Sequence, residues 1–174
     1  MIRKQKKGVC THSSGNHAQA VAYAAMRRNI PAYIVMPENA PKVKIQAVED
    51  YHAKVTLCEP TLKARRETLE KIADKTGAYV VHPFNEPKVI AGQGTAALEL
   101  IQDIGNLDAI CAPIGGGGLM SGTCITAKDM LPNIRLFGAE PKGADDAYRS
   151  LKKGKLLPQD NPDTICDGLL TSMG

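Results

Sequence analysis

The chain has 174 residues, enough for one domain with a sizeable core or for two small ones. Its formal charge is +4 with two Phe, five Tyr and no Trp, so few rings could stack on bases and nucleic-acid binding is not expected. Five scattered cysteines without a C-x-x-C pair, and no apolar run near the ~20 residues that span a bilayer, predict a cytoplasmic protein away from membranes.

The first informative stretch is a polar run that opens a predicted helix over residues 18–28. The run reads Thr11-His12-Ser13-Ser14-Gly15-Asn16-His17. Free backbone N–H groups of a first helical turn can bind an anion or a polar ring, so the run predicts a ligand-binding turn. The alternative is that Ser14 simply caps the helix. His12 and His17 are five residues apart, which is not the spacing of a helical metal pair, and are expected to pack or to hydrogen-bond.

Strands and helices are predicted to alternate along the rest of the chain. The predicted strands cover residues 32–37, 53–58, 78–81, 109–114 and 134–140. The predicted helices cover residues 42–52, 61–76, 89–104, 119–131 and 144–151. Gly77 is predicted to end the second of these helices. This alternation favours an α/β fold in which βα units form parallel sheets covered by helices.

Four consecutive glycines follow the strand at 109–114, and Leu119 opens the next helix. They are Gly115, Gly116, Gly117 and Gly118. A strand, a glycine turn and a helix N-terminus together are typical of a phosphate-binding loop, and a merely flexible loop is the alternative. A Rossmann-like dinucleotide site is a rival, because Glu140 follows about 22 residues later, but Ser121 stands where the third glycine belongs.

Several motifs, taken together and in this order, resemble the serine racemase and serine/threonine dehydratase family. They are the run from Thr11 to His17, His82-Pro83, Ile90-Ala91-Gly92-Gln93-Gly94-Thr95, the four glycines and Ala139-Glu140-Pro141. These enzymes use pyridoxal 5'-phosphate and have the tryptophan-synthase β-like fold. The resemblance implies two lobes with a cofactor cleft between them, a small domain over residues 8–85 and part of the large domain over residues 86–174.

The resemblance also implies roles for individual residues. Ser14 would be the catalytic group on one face of the substrate carbon, and Asn16 would contact the phenolic oxygen of the cofactor. The phosphate would lie on Gly115, Gly116, Gly117, Gly118 and Leu119. The substrate, a small amino acid such as serine or threonine, would be bound by Ser13, Ser14, Gly15, Asn16 and His17. Acidic residues often simply favour a helix N-terminus, but with the resemblance Glu140, the Ala144 carbonyl and Asp146 would hold Mg²⁺ or Ca²⁺.

The implied activity is serine racemisation with an accompanying serine/threonine dehydratase (ammonia-lyase) reaction, in a homodimer. Phe84 stands where racemases carry an amide and dehydratases often carry Phe, which leaves the preference between the two reactions open. The family's Schiff-base lysine lies in a Ser-Phe-Lys-x-Arg-Gly-like motif that this sequence does not contain. We therefore expect the chain to be the middle of a larger enzyme, or a catalytically inactive truncated product.

Overall fold

The computed structural model describes residues 7–174, which fold as alternating strands and helices. The strands are β1 Val9–His12, β2 Ala32–Pro37, β3 Lys54–Cys58, β4 Tyr79–Val80, β5 Ala109–Pro113 and β6 Arg135–Ala139. The helices are α1 Asn16–Arg27, α2 Lys42–Asp50, α3 Leu62–Thr76, α4 Pro87–Ile104, α5 Gly118–Met130 and α6 Asp146–Lys153. The chain divides into two compact units between Pro83 and Phe84.

The first unit is built on a four-stranded sheet in the order β3-β2-β1-β4, with every pair parallel. The α/β fold with parallel sheets is confirmed. The central strand β1 was not predicted, because its four residues include Thr11 and His12. Cys10 and Thr11 are nevertheless fully buried in the sheet. The position of β1 puts the polar run that follows it at the carboxyl edge of the sheet.

Helices cover both faces of this sheet. Alternate residues of β2 point to opposite sides, so Ile34 and Met36 pack on one face and Val35 on the other. The first face meets α1 and α2 through Ala18, Ala22 and Val48, among others. The second face meets α3 through Leu69. The first face therefore anchors α1 and α2, and the second face anchors α3.

The second unit contains a two-stranded parallel sheet, β5–β6, and the closely packed helices α4 and α5. A Cβ atom added to Gly122 would lie 2.4 Å from the Ile90 carbonyl oxygen and 2.5 Å from the Gly94 nitrogen. The two helices therefore cross where neither backbone carries a side chain. Among residues 7–174, nothing lies within 4 Å of such an atom at Gly92, so Gly94 serves this close approach and Gly92 does not.

Most element boundaries agree with the predictions to within two residues. Gly77 ends α3 in the left-handed conformation (φ 66°), and its N–H donates to the Ala73 carbonyl oxygen at 2.7 Å. Helix α6 continues two residues past the predicted end, to Lys153, before the left-handed Gly154 ends it. The 3-10 turn Asp167–Leu169 was not predicted. Among the described residues, no helix combines the length and the apolar character needed to cross a membrane.

Candidate active-site residues

The turn after β1 is held to the sheet by its backbone. The Ser13 N–H donates to the Val35 carbonyl oxygen at 3.1 Å, and the Ser13 Oγ accepts from the Gly15 N–H at 3.3 Å. Within the described chain, α1 begins after Gly15 with no side-chain cap, so the alternative that Ser14 caps the helix is wrong. Ser14 is half-buried and Asn16 is exposed. The turn thus offers a hydroxyl, an amide and a helix N-terminus that no side chain caps.

His17 connects this turn to the sheet by a hydrogen bond to the buried Thr11. Thr11 Oγ1 donates to the Val81 carbonyl oxygen at 2.7 Å, and His17 Nε2 lies 3.1 Å from Thr11 Oγ1 and 3.3 Å from the same carbonyl oxygen. A carbonyl oxygen only accepts, and the threonine proton is already used, so Nε2 must carry the proton of the neutral ring. Burial lowers the pKa of His17, although the bond to Val81 partly opposes this. His17 therefore joins β1, α1 and the end of β4.

A second histidine cluster lies at the same edge of the sheet. The rings of His12 and His82 have their centroids 6.4 Å apart at an interplanar angle of 78°. Burial, followed by the charges of Arg65, His82, Arg66 and His17, lowers the pKa of His12 to about 4. His12 is therefore neutral at physiological pH. His12 thus contacts another ring and His17 makes hydrogen bonds, which are the two uses expected from the sequence.

Arg65 is the functional candidate that the sequence analysis missed. Its Nε is buried and has no hydrogen-bond partner among the described residues. Burial lowers the pKa of Arg65, while Cys58 acts in the opposite direction, yet a guanidinium stays charged in proteins. A partly buried cation with a free donor, close enough to depress the pKa of His12, is suited to an anion. The only sequence signal is the Arg65-Arg66 pair in a helix, which is more often a solvated surface.

The low pKa of His12 predicts acid-sensitive folding. The folded-state value of about 4 lies below the ordinary 6.5, so the unfolded chain binds the proton more readily. The contribution of neutral His12 to the free energy of unfolding is therefore fully present above pH 6.5 and is lost as the pH drops towards 4. The shift sets an upper bound of about 3 kcal/mol, and partial exposure reduces the expected loss to about 1–2 kcal/mol.

Urea unfolding of the wild type and the His12→Gln variant at pH 7.0 and pH 4.5 measures this loss. The variant should lose less stability over this interval than the wild type. His52→Asn is the matched control, because His52 is exposed and its positive φ of 60° suits asparagine. Equal losses in the wild type and His12→Gln would contradict the role of His12.

The four glycines form a compact loop between β5 and α5. Gly117 has a φ of 92°, which favours glycine, and α5 begins there with no side-chain cap. A Cβ added to Gly116 would lie 2.1 Å from the Phe84 ring, and one on Gly118 would lie 3.0 Å from Phe84 Cα. The loop is therefore packed closely against Phe84, and the flexible-loop alternative is not supported. The backbone N–H groups of Gly118 and Leu119 belong to the uncapped first turn of α5.

The acidic residues proposed as metal ligands lie around the N-terminus of α6. Glu140 accepts from the Ala147 N–H at 3.0 Å and from the Tyr148 N–H at 2.7 Å, so it caps the helix. Asp146, which is 1% exposed, accepts from the Met173 N–H at 2.6 Å. Each carboxylate keeps further lone pairs, so binding of a hard cation is compatible with these contacts. Residues 7–174 contain no cluster of three or more His, Cys, Asp or Glu side chains that could hold a metal.

The predicted site residues thus fall into two groups, each within one unit. Ser13, Ser14, Gly15, Asn16 and His17 share one turn of the first unit, and the glycine loop and the acidic residues belong to the second. The family model for pyridoxal-phosphate dependent enzymes matches residues 2–173. The chain belongs to this family. A Rossmann-like dinucleotide site is accordingly not favoured.

Individual relatives narrow the position of the chain within the pyridoxal-phosphate family. The chain is 54% identical over 170 residues to serine racemase of Dictyostelium discoideum, covering 97% of this chain and 52% of that protein. It is 52% identical over 167 residues to β-hydroxyaspartate dehydratase of Paracoccus denitrificans, covering 96% and 53%. Maize serine racemase superposes with a TM-score of 0.96 at 44% identity, covering 100% of this chain and 53% of that one. The chain thus spans about half the length of these relatives.

Proposed function

We propose that the protein containing this chain is a pyridoxal-phosphate-dependent serine racemase with accompanying serine/threonine dehydratase activity. The observation that carries the proposal is the four-glycine loop before the uncapped helix α5. Backbone N–H groups and a helix N-terminus are suited to a phosphate group. Similarity to serine racemases and to a dehydratase supports the choice of reaction.

The residues of the chain divide the work between binding and proton transfer. Gly115, Gly116, Gly117, Gly118 and Leu119 bind the phosphate, and Asn16 contacts the phenolic oxygen. When bound, pyridoxal phosphate delocalises the negative charge left by removal of the substrate α-proton. Ser13, Gly15 and His17 belong to the turn that holds the substrate carboxylate at the N-terminus of α1, chiefly through backbone N–H groups, because the His17 ring is already bonded to Thr11 and Val81. Ser14 donates or accepts a proton on one face of the α-carbon. Racemisation requires one such group on each face, because the proton leaves from one side and returns from the other.

The cation and the quaternary structure are further parts of the proposal. Glu140, the Ala144 carbonyl and Asp146 bind Mg²⁺ or Ca²⁺ through hard oxygen ligands. Support comes from the burial of Ala144 and Asp146, which are 2% and 1% exposed. We also propose a cytoplasmic homodimer, on the family resemblance alone. A small domain over residues 8–85 and part of a large domain over residues 86–174 stay predictions as well.

Binding and activity test the proposed function separately. The chain is titrated with pyridoxal phosphate while backbone amide shifts are followed by NMR, and the largest changes are expected at Gly116, Gly117 and Gly118. The full-length protein that contains this chain is then loaded with the cofactor, and conversion of L-serine to D-serine and pyruvate is measured. Shifts elsewhere in the chain, or a loaded protein that forms neither product, would contradict the proposal.

A second candidate substrate is a β-hydroxy amino acid with an additional carboxylate. Arg65 supports it, because its buried Nε has no partner among residues 7–174 and its charge acts on His12, which directly precedes the serine turn. An Arg–carboxylate pair is strong and directional. The 52% identity to β-hydroxyaspartate dehydratase points the same way. This reaction uses the same turn and differs from serine dehydration only in the side-chain anion.

Substitution of Arg65 should separate the two substrates. In the loaded full-length protein, Arg65→Met is expected to lower kcat/KM for β-hydroxyaspartate by about tenfold to a hundredfold, the value of one charge-assisted hydrogen bond. The kcat/KM for serine should change by less than about threefold. Arg66→Met is the matched control, because Arg66 is the exposed neighbour on the same helix. Parallel losses for both substrates would assign Arg65 a structural role instead.

A further inference from the structure

The last residues of the chain lie on the glycine loop. A Cβ added to Gly115 would be 3.3 Å from Leu169 Cδ2, and one on Gly117 would be 3.6 Å from Met173 Cγ. The Gly174 N–H donates to the Gly116 carbonyl oxygen at 3.3 Å. We call residues 168–174 the tail. Three successive glycines of the loop therefore contact one continuous segment that begins within the 3-10 turn Asp167–Leu169.

Asp146 connects the tail to helix α6. Asp146 is 1% exposed, and its Oδ2 accepts from the Met173 N–H at 2.6 Å, across 27 residues of sequence. A charged acceptor makes a hydrogen bond roughly twice as strong as a neutral one. Ser172 is fixed separately, because its Oγ accepts from the Gln159 N–H at 3.2 Å. Met173 is thus the point at which a buried charge and the glycine loop meet.

From these contacts we propose that Asp146 is a positioning residue for the glycine loop. Its carboxylate holds Met173, and the tail holds Gly115, Gly116 and Gly117 in the conformation that presents the N–H groups of the loop. Four consecutive glycines lose much conformational entropy on ordering, so contacts that order the loop beforehand improve anion binding. This role rests on the proposed function only in that the loop binds phosphate. It needs no cation at Asp146.

Two substitutions at Asp146 distinguish a hydrogen-bond acceptor from other roles. Asp146→Ala removes the acceptor, whereas Asp146→Asn keeps an oxygen that accepts from Met173. Hydrogen exchange of the whole chain is measured by NMR, without ligand. We expect the Met173 amide to exchange about tenfold to a hundredfold faster in Asp146→Ala than in the wild type. The amides of residues 115–118 should also exchange faster in this variant. Asp146→Asn should retain most of the protection at both places.

Ligand binding provides the second measurement. The probes are pyridoxal phosphate and inorganic phosphate, and Asp146→Ala should weaken both by about tenfold. Asp145→Ala is the matched control, because the half-exposed Asp145 neighbours Asp146 but accepts from Arg149 at 2.7 Å, which lies outside the tail. Ser172→Ala loosens the same tail from its other attachment and replaces Asp146→Ala if that variant fails to fold.

The outcomes separate the positioning role from the proposed function. Faster exchange at Met173 with unchanged residues 115–118 would overturn the positioning role, and so would equal losses in Asp146→Asn and Asp146→Ala. A wild-type chain that binds neither probe at the glycine loop would instead contradict the proposed function. In that case the exchange rates still decide whether Asp146 orders the loop.

Discussion

Replacing Gly122 with alanine is expected to lower the free energy of unfolding by about 3 kcal/mol, the upper end of the usual cost of overpacking. The added methyl group would lie 2.4 Å from the Ile90 carbonyl oxygen and 2.5 Å from the Gly94 nitrogen. Both are backbone atoms of α4, so no side-chain rotation relieves the contact. Helices α4 and α5 must move apart, which exposes apolar surface along their whole crossing. The midpoint and slope of urea unfolding measure the effect.

Gly92→Ala, in the partner helix α4, is the matched control. Gly92 is exposed, and no atom of the described residues lies within 4 Å of the position of its added Cβ. Alanine there should stabilise the chain by about 0.5–1 kcal/mol, since glycine in a helix interior costs backbone entropy. A loss of stability in Gly122→Ala together with a gain in Gly92→Ala would establish that α4 and α5 cross closely at Gly122. A Gly122→Ala variant as stable as the wild type would show that the helices cross at a greater distance.

The alternation of strands and helices could be predicted because it is a local property. Apolar runs bounded by proline or glycine mark β2 and β5, and Gly77 ends α3 by its backbone conformation alone. Strand β1 could not be predicted in this way. Thr11 is fully buried, and its hydroxyl is satisfied by the Val81 carbonyl oxygen, 70 residues further along the chain. No local sequence pattern predicts a hydrogen-bond partner so far along the chain.

The candidate site shows the same difference between features that local sequence predicts and features that depend on tertiary packing. The serine turn and the glycine loop are contiguous motifs, so their residue types alone predict a binding function. Arg65 comes close to His12 only because α3 packs on the sheet. Phe84 contacts Gly116 and Gly118 from a position more than thirty residues earlier in the chain. Local sequence thus identifies the candidate binding motifs, whereas the proximity of Arg65 and Phe84 to them depends on tertiary packing.

Ser14→Ala should abolish racemisation while it preserves one elimination reaction. Removal of a positioned acid or base typically costs about a hundredfold to ten-thousandfold in rate. Racemisation needs a proton-transfer group on each face of the α-carbon, so loss of one group stops interconversion in both directions. Elimination needs only the group that removes the α-proton. The enantiomer whose α-proton points away from Ser14 should therefore still yield pyruvate, whereas the other should lose this activity by the same large factor.

The measurement uses the cofactor-loaded full-length protein, with chiral chromatography for serine and a coupled assay for pyruvate from each enantiomer. Ser13→Ala is the neighbouring control. Ser13 Oγ accepts from the Gly15 N–H at 3.3 Å and so supports the turn, and its loss should lower all activities by a similar, smaller factor of about tenfold. Equal losses of elimination from both enantiomers in Ser14→Ala would mean that Ser14 shapes the turn and transfers no proton. A selective loss would assign it to one face of the substrate, because a distorted turn has no means of distinguishing the two α-protons.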